Sequence, residues 1–358
     1  MSRTLAIPAL AALVLLAGCS AAPPAATDGA ADPGAERTLE CSQMVTNSGG
    51  LNDRSFNETS WAGMERAEEE LGVSANVLVS TTESDLAPNV QAAVDTGCGF
   101  VLTVGYELAA ATEEQAAANP DVQFAIVDEI VEGANVRPIV FDTAQAAYLA
   151  GYTAASVSES GIVATFGGGN QPPVTLFMDG FAAGIDGYNE AKDASVRLLG
   201  WDPEAQDGTF TGDFENVSLG QSQTQAFISQ GADVILPVAG QVGEGAFRAS
   251  LDTGGDALVI WVDNDGYDTL PAEFRPLLLT SILKNTEDTV VDAVSDAVDG
   301  TISNEPIIGT LENGGVDIAP FHDLESRVSA ETTTELDALR QQIIAGEIMI
   351  ESPSSPQS

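Results

Sequence analysis

The stretch TGCGFVLTVG, residues 96–105, is closely matched by QGADVILPVAG at residues 230–240. In each copy a glycine precedes a short apolar run and a second glycine follows it, which is typical of a buried strand of a parallel sheet and its turn. Each copy is followed by another apolar strand that ends in aspartate, AIVD at Asp128 and IWVD at Asp263. This repetition indicates two related lobes rather than a chance alternation.

Outward from these copies, apolar runs of strand length alternate with segments of helical spacing along most of the chain. The alternation predicts an α/β fold with two doubly wound parallel-sheet lobes, and several crossings between the lobes predict a hinge beside a cleft. The predicted division is a signal peptide at 1–19, a flexible tether at 20–37, lobe I at 38–143 plus 264–303, lobe II at 144–263 plus 304–347, and a disordered Ser/Pro-rich tail at 348–358.

The amino terminus has the layout of an export signal. Arg3 precedes an apolar run at 5–16, and small residues lead to Cys19, a pattern too short for a transmembrane helix. The sequence LAGC at 16–19 resembles the bacterial lipobox, and that resemblance implies that Cys19 becomes the lipid-modified first residue of the mature protein. We therefore expect an extracytoplasmic protein that contacts the cell membrane through its lipid anchor alone.

Composition limits the partners. The 358 residues suffice for two domains, and 54 acidic residues against 12 Lys and Arg give a formal net charge of −42. Such a surface repels phosphate backbones and anionic lipids, so neither nucleic acid nor a polybasic membrane contact is expected. A solvated, salt-adapted surface is the simpler interpretation of the excess acid.

The loop TNSGGLNDRSFN at 46–57 is rich in groups that contact ligands. It follows the first predicted strand and precedes a helix, and it contains Asn47, Asn52, Asp53 and the aromatic Phe56. Adjacent glycines let the backbone approach a ligand closely, and the start of a helix favours polar groups. The same residues also fit a tight turn without a ligand.

Polar residues follow other predicted strands too. Asp128, Gly240, Asp263 and Lys284 all lie at carboxyl ends of strands, where open α/β sheets bind ligands. Lys284 is one of only two lysines in the chain, and its ammonium is suited to donate to a ligand hydroxyl that aspartates also contact. Helix capping by the aspartates and a surface salt bridge of the lysine are the alternatives.

Cys41 and Cys98 lie near the beginnings of two predicted strands. If those strands are neighbours in a parallel sheet, the spacing suits a disulfide, which an exported protein can keep. Two buried free thiols are the alternative.

The sequence contains few signs of an enzyme. His322 is the only histidine, and there is no nucleophile elbow, phosphate-binding loop or Cys/His cluster for zinc. We expect neither a catalytic residue, nor a metal, nor a cofactor.

Together these motifs resemble the basic membrane protein family, the purine-nucleoside-binding lipoproteins that serve ABC transporters. The resemblance runs from about residue 39 to residue 347 and implies a monomer with a type I periplasmic-binding-protein-like fold that passes a purine nucleoside to a permease. It rests on GGLNDRSFNE at 49–58, PDVQFAIVD at 120–128, GGGNQPPV at 167–174, QGADVILPVAG at 230–240, WVDND at 261–265 and TSILK at 280–284.

The resemblance also implies roles for individual residues. Phe56 and Phe214 match two rings that sandwich the purine, and Asp263 and Lys284 match the ribose contacts. Asp128 matches a further polar contact, and Gly240 a close backbone approach.

Asn47 departs from the family pattern, because the family usually has aspartate at this position, where it contacts the purine edge. An aspartate accepts from N1–H of guanine or hypoxanthine, whereas asparagine also donates and suits N1 of adenine. The base preference therefore stays open.

Two other functions also remain open. The same fold binds sugars and other small polar metabolites, because fold alone does not set the ligand. From another class, the chain suits a surface adhesin or signalling lipoprotein.

Overall fold

The computed structural model describes residues 39–356. The predicted signal peptide, the lipid attachment at Cys19 and the tether lie outside the described residues. The strands are β1 Cys41–Thr46, β2 Ser74–Leu78, β3 Phe100–Val104, β4 Gln123–Val127, β5 Val136–Phe141, β6 Ile162–Gly167, β7 Arg197–Leu199, β8 Trp201–Asp202, β9 Asp207–Gly208, β10 Val234–Val238, β11 Leu258–Asp263, β12 Leu278–Lys284, β13 Ile307–Gly309 and β14 Val316–Ile318. The α-helices are α1 Phe56–Leu71, α2 Glu83–Asp95, α3 Ala109–Ala118, α4 Thr143–Val157, α5 Pro172–Lys192, α6 Val217–Ser229, α7 Glu244–Asp252, α8 Gly266–Thr269, α9 Thr286–Val298 and α10 Ala330–Ile344.

Two six-stranded sheets carry the fold. The first has the strand order β13-β5-β4-β3-β1-β2, and all of its strands are parallel. The second has the order β14-β12-β11-β10-β6-β7 and is parallel except for β14. The repeated strands β3 and β10 are buried along their whole length, as continuous apolar runs of parallel sheets require. The predicted α/β fold with two doubly wound sheets is confirmed.

Two strands lie on a different sheet from the one that the predicted lobe boundaries imply. β12 pairs with β11 in the second sheet, although the predicted boundaries place 264–303 in lobe I. β13 pairs with β5 in the first sheet, although the predicted boundaries place 304–347 in lobe II. Apolar content alone cannot place such strands, because the two sheets offer similar edges and only pairing with a neighbour decides between them.

Helices α4 and α5 pack with their backbones in close contact. A Cβ atom at Gly151 would lie 2.1 Å from the carbonyl oxygen of Phe181, and one at Gly184 would lie 2.0 Å from that of Tyr148. Nearly all of α4 is buried, which is possible because small and apolar residues occupy most of its positions on every side. The glycines allow the approach that fixes α5, whose first turn borders the cleft described below.

The carboxyl-terminal tail is ordered up to residue 356, in contrast to the disorder predicted for 348–358. Ser352 Oγ donates to Asp179 Oδ2 over 2.6 Å, and the hydroxyls of Thr175 and Ser354 lie 2.8 Å apart. Ile348 and Ile350 pack against the main core. A low-complexity composition predicted disorder, but two isoleucines and the polar face of α5 hold this segment in place.

A disulfide joins Cys41 of β1 to Cys98, with the Cα atoms 5.0 Å apart. The bond is possible because β1 and β3 are adjacent parallel strands, so that Cys98, just before β3, lies beside the start of β1. It links the start of β1, the first strand in the chain, to the residue that precedes β3 by two positions.

Asp53 caps helix α1 from inside the protein. Its Oδ1 accepts from the backbone N–H of Ser55 and Glu58, and its Oδ2 accepts from the backbone N–H of Asn57 at 2.9 Å and from the Asn57 side chain. Asp53 is 4% exposed. Burial raises the pKa of Asp53 to about 6, because loss of water disfavours the carboxylate more than the backbone N–H groups favour it.

We predict that the disulfide stabilises the fold. Replacing Cys41→Ser and Cys98→Ser together should lower the free energy of unfolding by about 3–4 kcal/mol, because the bond constrains a long loop in the unfolded chain. The sequence separation of the two cysteines is 57. Urea unfolding with and without reductant measures the effect. Reductant should destabilise the unsubstituted protein and leave the double variant unchanged; equal sensitivity of the two proteins would contradict the prediction.

We also predict a pH-dependent contribution from Asp53. Its pKa rises from 3.8 to about 6 in the folded state, so its stabilising contribution is complete below about pH 4 and is lost as the pH rises through about 6. Asp53→Asn removes this titration. The difference in free energy of unfolding, unsubstituted protein minus variant, should therefore fall by roughly 3 kcal/mol between about pH 4 and pH 7. Urea unfolding at several pH values tests this, with exposed Asp121→Asn as the control; a flat difference for Asp53→Asn counts against it.

Candidate ligand-binding site

A cleft lies between the carboxyl ends of the two sheets. The space between its lining residues is about 630 Å³ when the open mouth is included. The predicted ligand-binding residues that line it are Asn47, Asp53, Phe56, Asp128, Phe214, Gly240, Asp263 and Lys284.

Asn52 is the predicted residue that does not line this cleft. Asn52 is exposed, whereas the next residue, Asp53, is buried. Asp53 borders the cleft, but both of its oxygens accept hydrogen bonds from the start of α1. Its position in the loop indicated a ligand contact, whereas its hydrogen bonds indicate a helix cap.

Lys284 lies between two carboxylates in the cleft. Its side chain is 2% exposed, and Nζ lies 2.5 Å from Oδ2 of Asp128 and 3.8 Å from Oδ1 of Asp263. Burial raises the pKa of Asp128, and the nearby ammonium of Lys284 opposes that rise. Lys284 thus joins an aspartate that follows a strand of the first sheet to one that ends a strand of the second.

Asp128 and Asp263 share an uncommon backbone conformation. Their φ angles are 67° and 73°, in the left-handed region that non-glycine residues seldom adopt. Both residues end the matching AIVD and IWVD segments, so the two halves of the chain place a carboxylate in the same way. Strain of this kind is typical of functional sites, where surrounding contacts hold it.

Phe56 and Phe214 supply aromatic surface to the cleft. Phe56 begins α1, and the Nζ atom of Lys284 lies 4.7 Å from the centre of its ring. Phe214 lies in the segment after β9, which returns to β6 through backbone hydrogen bonds from Thr211 to Gly167 and from Gly212 to Gly168. Both rings are half-buried, so part of each apolar face stays open to a ligand.

Asn47 is held by two donors. Its Oδ1 accepts from the backbone N–H of Gly49 at 3.0 Å and from Nδ2 of Asn57 at 2.8 Å. The backbone N–H of Gly49 can only donate, so this contact fixes which atom of the Asn47 amide is the oxygen. The Nδ2 group of Asn47 has no acceptor among residues 39–356 and is the polar group that this side chain offers to a ligand.

The cleft lining also includes residues that the sequence did not predict, among them Glu107, Gln171 and Phe177. Gln171 Nε2 donates to Oε1 of Glu107 at 2.9 Å, and Phe177 of α5 lies in the wall near Lys284. Glu107 and Gln171 closely follow β3 and β6, so their position after strands was the signal that pointed to them. Phe177 has no such signal, because a helical phenylalanine in an apolar pattern predicts core packing.

The loop between β1 and α1 also contacts the second sheet. Ser55 Oγ donates to Oδ2 of Asp263, and Asn264 Nδ2 donates to the carbonyl oxygen of Arg54 at 2.9 Å. Arg54 Nε lies 3.1 Å from Oε1 of buried Glu244, at the start of α7. These bonds hold the base of the cleft together.

The cleft therefore combines aromatic faces at its walls with a carboxylate–ammonium–carboxylate cluster at its floor. Lys284 is the one cation among the described lining residues, and its charge is already balanced. Such a site suits an uncharged ligand with a flat ring and hydroxyl groups. In the described part of the chain, no helix is both long and apolar enough to cross a membrane.

Comparison with known proteins identifies the family. The family model of ABC transporter substrate-binding proteins of the PnrA-like type matches residues 41–354. Among similar proteins, the ABC transporter nucleoside-binding protein BmpA of Lactococcus lactis is 28% identical, with 96% of this chain and 97% of that protein covered. Basic membrane protein A of Borreliella burgdorferi is 26% identical, with 87% of each covered.

Solved structures share the fold. A solute-binding protein of an ABC transporter system from Aeropyrum pernix K1 superposes with a TM-score of 0.79 at 24% identity, covering 89% of this chain and 94% of that chain. One from Conexibacter woesei gives 0.67 at 21% identity, covering 88% and 100%. These neighbours confirm the type I periplasmic-binding fold. The chain belongs to the PnrA-like, or basic membrane protein, family of extracytoplasmic ABC transporter substrate-binding proteins, which are not enzymes.

Proposed function

We propose that this protein is a monomeric, lipid-anchored receptor that binds a purine nucleoside between its two lobes and delivers it to an ABC permease. The observation that carries the proposal is the joint placement of Phe56 and Phe214 in one cleft with the cluster of Lys284, Asp128 and Asp263. Flat rings match a base, and the charged cluster offers donors and acceptors to the ribose hydroxyls.

Stacking accounts for affinity without demanding one particular base. Base–aromatic stacking contributes on the order of 1–3 kcal/mol per base, since every base has a π face. The name of the Lactococcus lactis relative, a nucleoside-binding protein, supports the same ligand class.

The charges of the cleft support a nucleoside over a nucleotide. Asp128 and Asp263 balance the single lysine, and Glu107 adds a further acidic group to the lining. A phosphate would meet net negative charge there without an arginine clamp. An uncharged nucleoside avoids that repulsion.

The membrane anchor rests on the LAGC sequence at 16–19 and on the family of ABC transporter receptors. Lipid attachment at Cys19 would keep the receptor near its permease. Mass spectrometry of the membrane-extracted protein should show a lipid-modified amino-terminal Cys19, and recovery of the protein with an unmodified amino terminus would contradict the anchor.

A thermal-shift panel tests the ligand class. Purine nucleosides should raise the melting temperature, because a ligand at a hundredfold excess over its Kd stabilises the folded state by about 2.7 kcal/mol. Free bases should give smaller shifts, whereas nucleotides and sugars should give none. A response to sugars with silence from every nucleoside would favour the same fold with another metabolite.

The two rings should each contribute to affinity. Phe56→Leu or Phe214→Leu should weaken nucleoside binding by about tenfold or more, because leucine keeps apolar volume and loses the π face. Isothermal titration calorimetry measures the change. Phe321→Leu, a half-buried ring outside the cleft, is the matched control and should bind as the unsubstituted protein does. Unchanged affinity in both cleft variants would exclude the sandwich.

A further inference from the structure

We propose that Asn47 and Glu107 form a donor–acceptor pair that recognises the Watson–Crick edge of the base, with Asn47 donating and Glu107 accepting. The proposal rests on the proposed nucleoside function and adds the groups and the ligand edge that set base selectivity.

The donor is fixed by its surroundings. Oδ1 of Asn47 accepts from the backbone N–H of Gly49, so the amide cannot turn its oxygen to the ligand without losing that bond. Asn57 Nδ2 donates to the same oxygen and also to Oδ2 of Asp53. The contact with Asp53 fixes the orientation of the Asn57 amide. Asn47 therefore presents its NH₂ group to the ligand.

The acceptor comes from the turn after β3. Oε1 of Glu107 accepts from Nε2 of Gln171, which follows β6 on the other side of the cleft. Oε2 of Glu107 has no donor among the described residues, and an ionised carboxylate accepts and does not donate. Glu107 thus keeps one free acceptor inside the cleft.

Gly105 brings the donor and the acceptor to one place. A Cβ atom at this residue would lie 3.2 Å from Nδ2 of Asn47 and 3.0 Å from Oε2 of Glu107, so both groups border the same small volume. The φ angle of Gly105 is 120°, a conformation that other residues rarely adopt. A side chain at this position would lie against both groups, so the glycine leaves both of them accessible to the edge of a base.

The order of strands indicates which edge of the base arrives there. Asn47 follows β1, Gly105 follows the adjacent β3, and Asp128 follows β4 beyond it, so Asn47 and Asp128 are separated by two strand spacings, about 10 Å. A nucleoside with its ribose at Asp128 and Lys284 directs the N1 and C6 side of its purine toward Asn47.

That edge matches the pair chemically. Adenine presents the N1 acceptor beside the N6 donor, and hypoxanthine presents the O6 acceptor beside the N1–H donor. In one orientation, adenine places N1 against the free NH₂ of Asn47 and N6–H against the free oxygen of Glu107 at the same time. Hypoxanthine presents its acceptor and its donor in the opposite order, so a pair that fits adenine leaves hypoxanthine mismatched in that orientation. Methylation at N1 blocks the edge in either base.

Calorimetric titrations with four ligands test the pair. Relative to adenosine, 1-methyladenosine should bind about 10-fold to 100-fold more weakly, because its blocked edge leaves the protein groups unpaired. Purine riboside, which lacks the amino group at C6, should also bind more weakly. 7-Deazaadenosine keeps the Watson–Crick edge and should bind like adenosine.

The Glu107→Gln variant isolates the acceptor. The oxygen of the new amide should accept from Gln171, which leaves an NH₂ group in the place of Oε2. Adenosine binding should then fall about tenfold or more, whereas purine riboside binding should change little. Exposed Glu113→Gln, on α3, is the matched control and should alter neither ligand.

The comparison of ligands separates recognition from closure of the cleft. Equal weakening of adenosine and purine riboside by Glu107→Gln would overturn the pair, because the effect would then come from the Gln171 contact alone. Weak binding of 7-deazaadenosine with full binding of 1-methyladenosine would also overturn it. Failure of every nucleoside to bind the unsubstituted protein would overturn the proposed function as well.

Discussion

A buried ammonium between two carboxylates is the interaction on which the rest of the cleft depends. Lys284 ends β12 of the second sheet, yet its closest partner is Asp128, which follows a strand of the first sheet. Removing one member of a buried ion pair typically costs 3–5 kcal/mol, because the other charge stays desolvated and alone. The ion pair thus joins the two sheets at the cleft, where a ligand would bind. Phe56 lies against the same ammonium, so Lys284 contacts both the charged floor and one aromatic wall of the cleft.

This constraint explains the strained backbone at both aspartates. A left-handed residue at the end of a strand turns its side chain toward the cleft instead of along the sheet, and the ion pair with Lys284 compensates for that conformation. Ser55 donates to Asp263 from the first lobe, so the second aspartate is also held from both sides. Placement of the charged groups therefore depends on the lobes being together, which links closure of the cleft to the geometry that a ligand would meet.

Much of the fold follows from local sequence, whereas the site depends on which strands are neighbours. The repeat of TGCGFVLTVG and QGADVILPVAG predicted two parallel sheets, because a buried strand needs a continuous apolar run and its turn needs glycine. Lys284, Asp128 and Asp263 were expected in the cleft because strand ends converge there, and the structure brings them together. The sheet assignment of β12 and β13 was not predictable in this way, since pairing between distant segments decides it. The order of the tail rests on long-range contacts of Ser352 and the isoleucines, which composition does not encode.

Selectivity in such a cleft is set by the polar groups that the protein leaves unpaired. The oxygens of Asp53 are taken by helix α1, and the oxygen of Asn47 is taken by Gly49 and Asn57. A side chain whose type suggests ligand binding therefore often makes hydrogen bonds within the protein instead. Its chemical type alone does not show which of its atoms is still available to a ligand. Asn47 is an example: because Gly49 and Asn57 donate to its oxygen, the side chain offers a donor, its NH₂ group, to the cleft. The acidic residues of the lining disfavour an anionic ligand, and hydrogen bonds and stacking then distinguish among uncharged ligands.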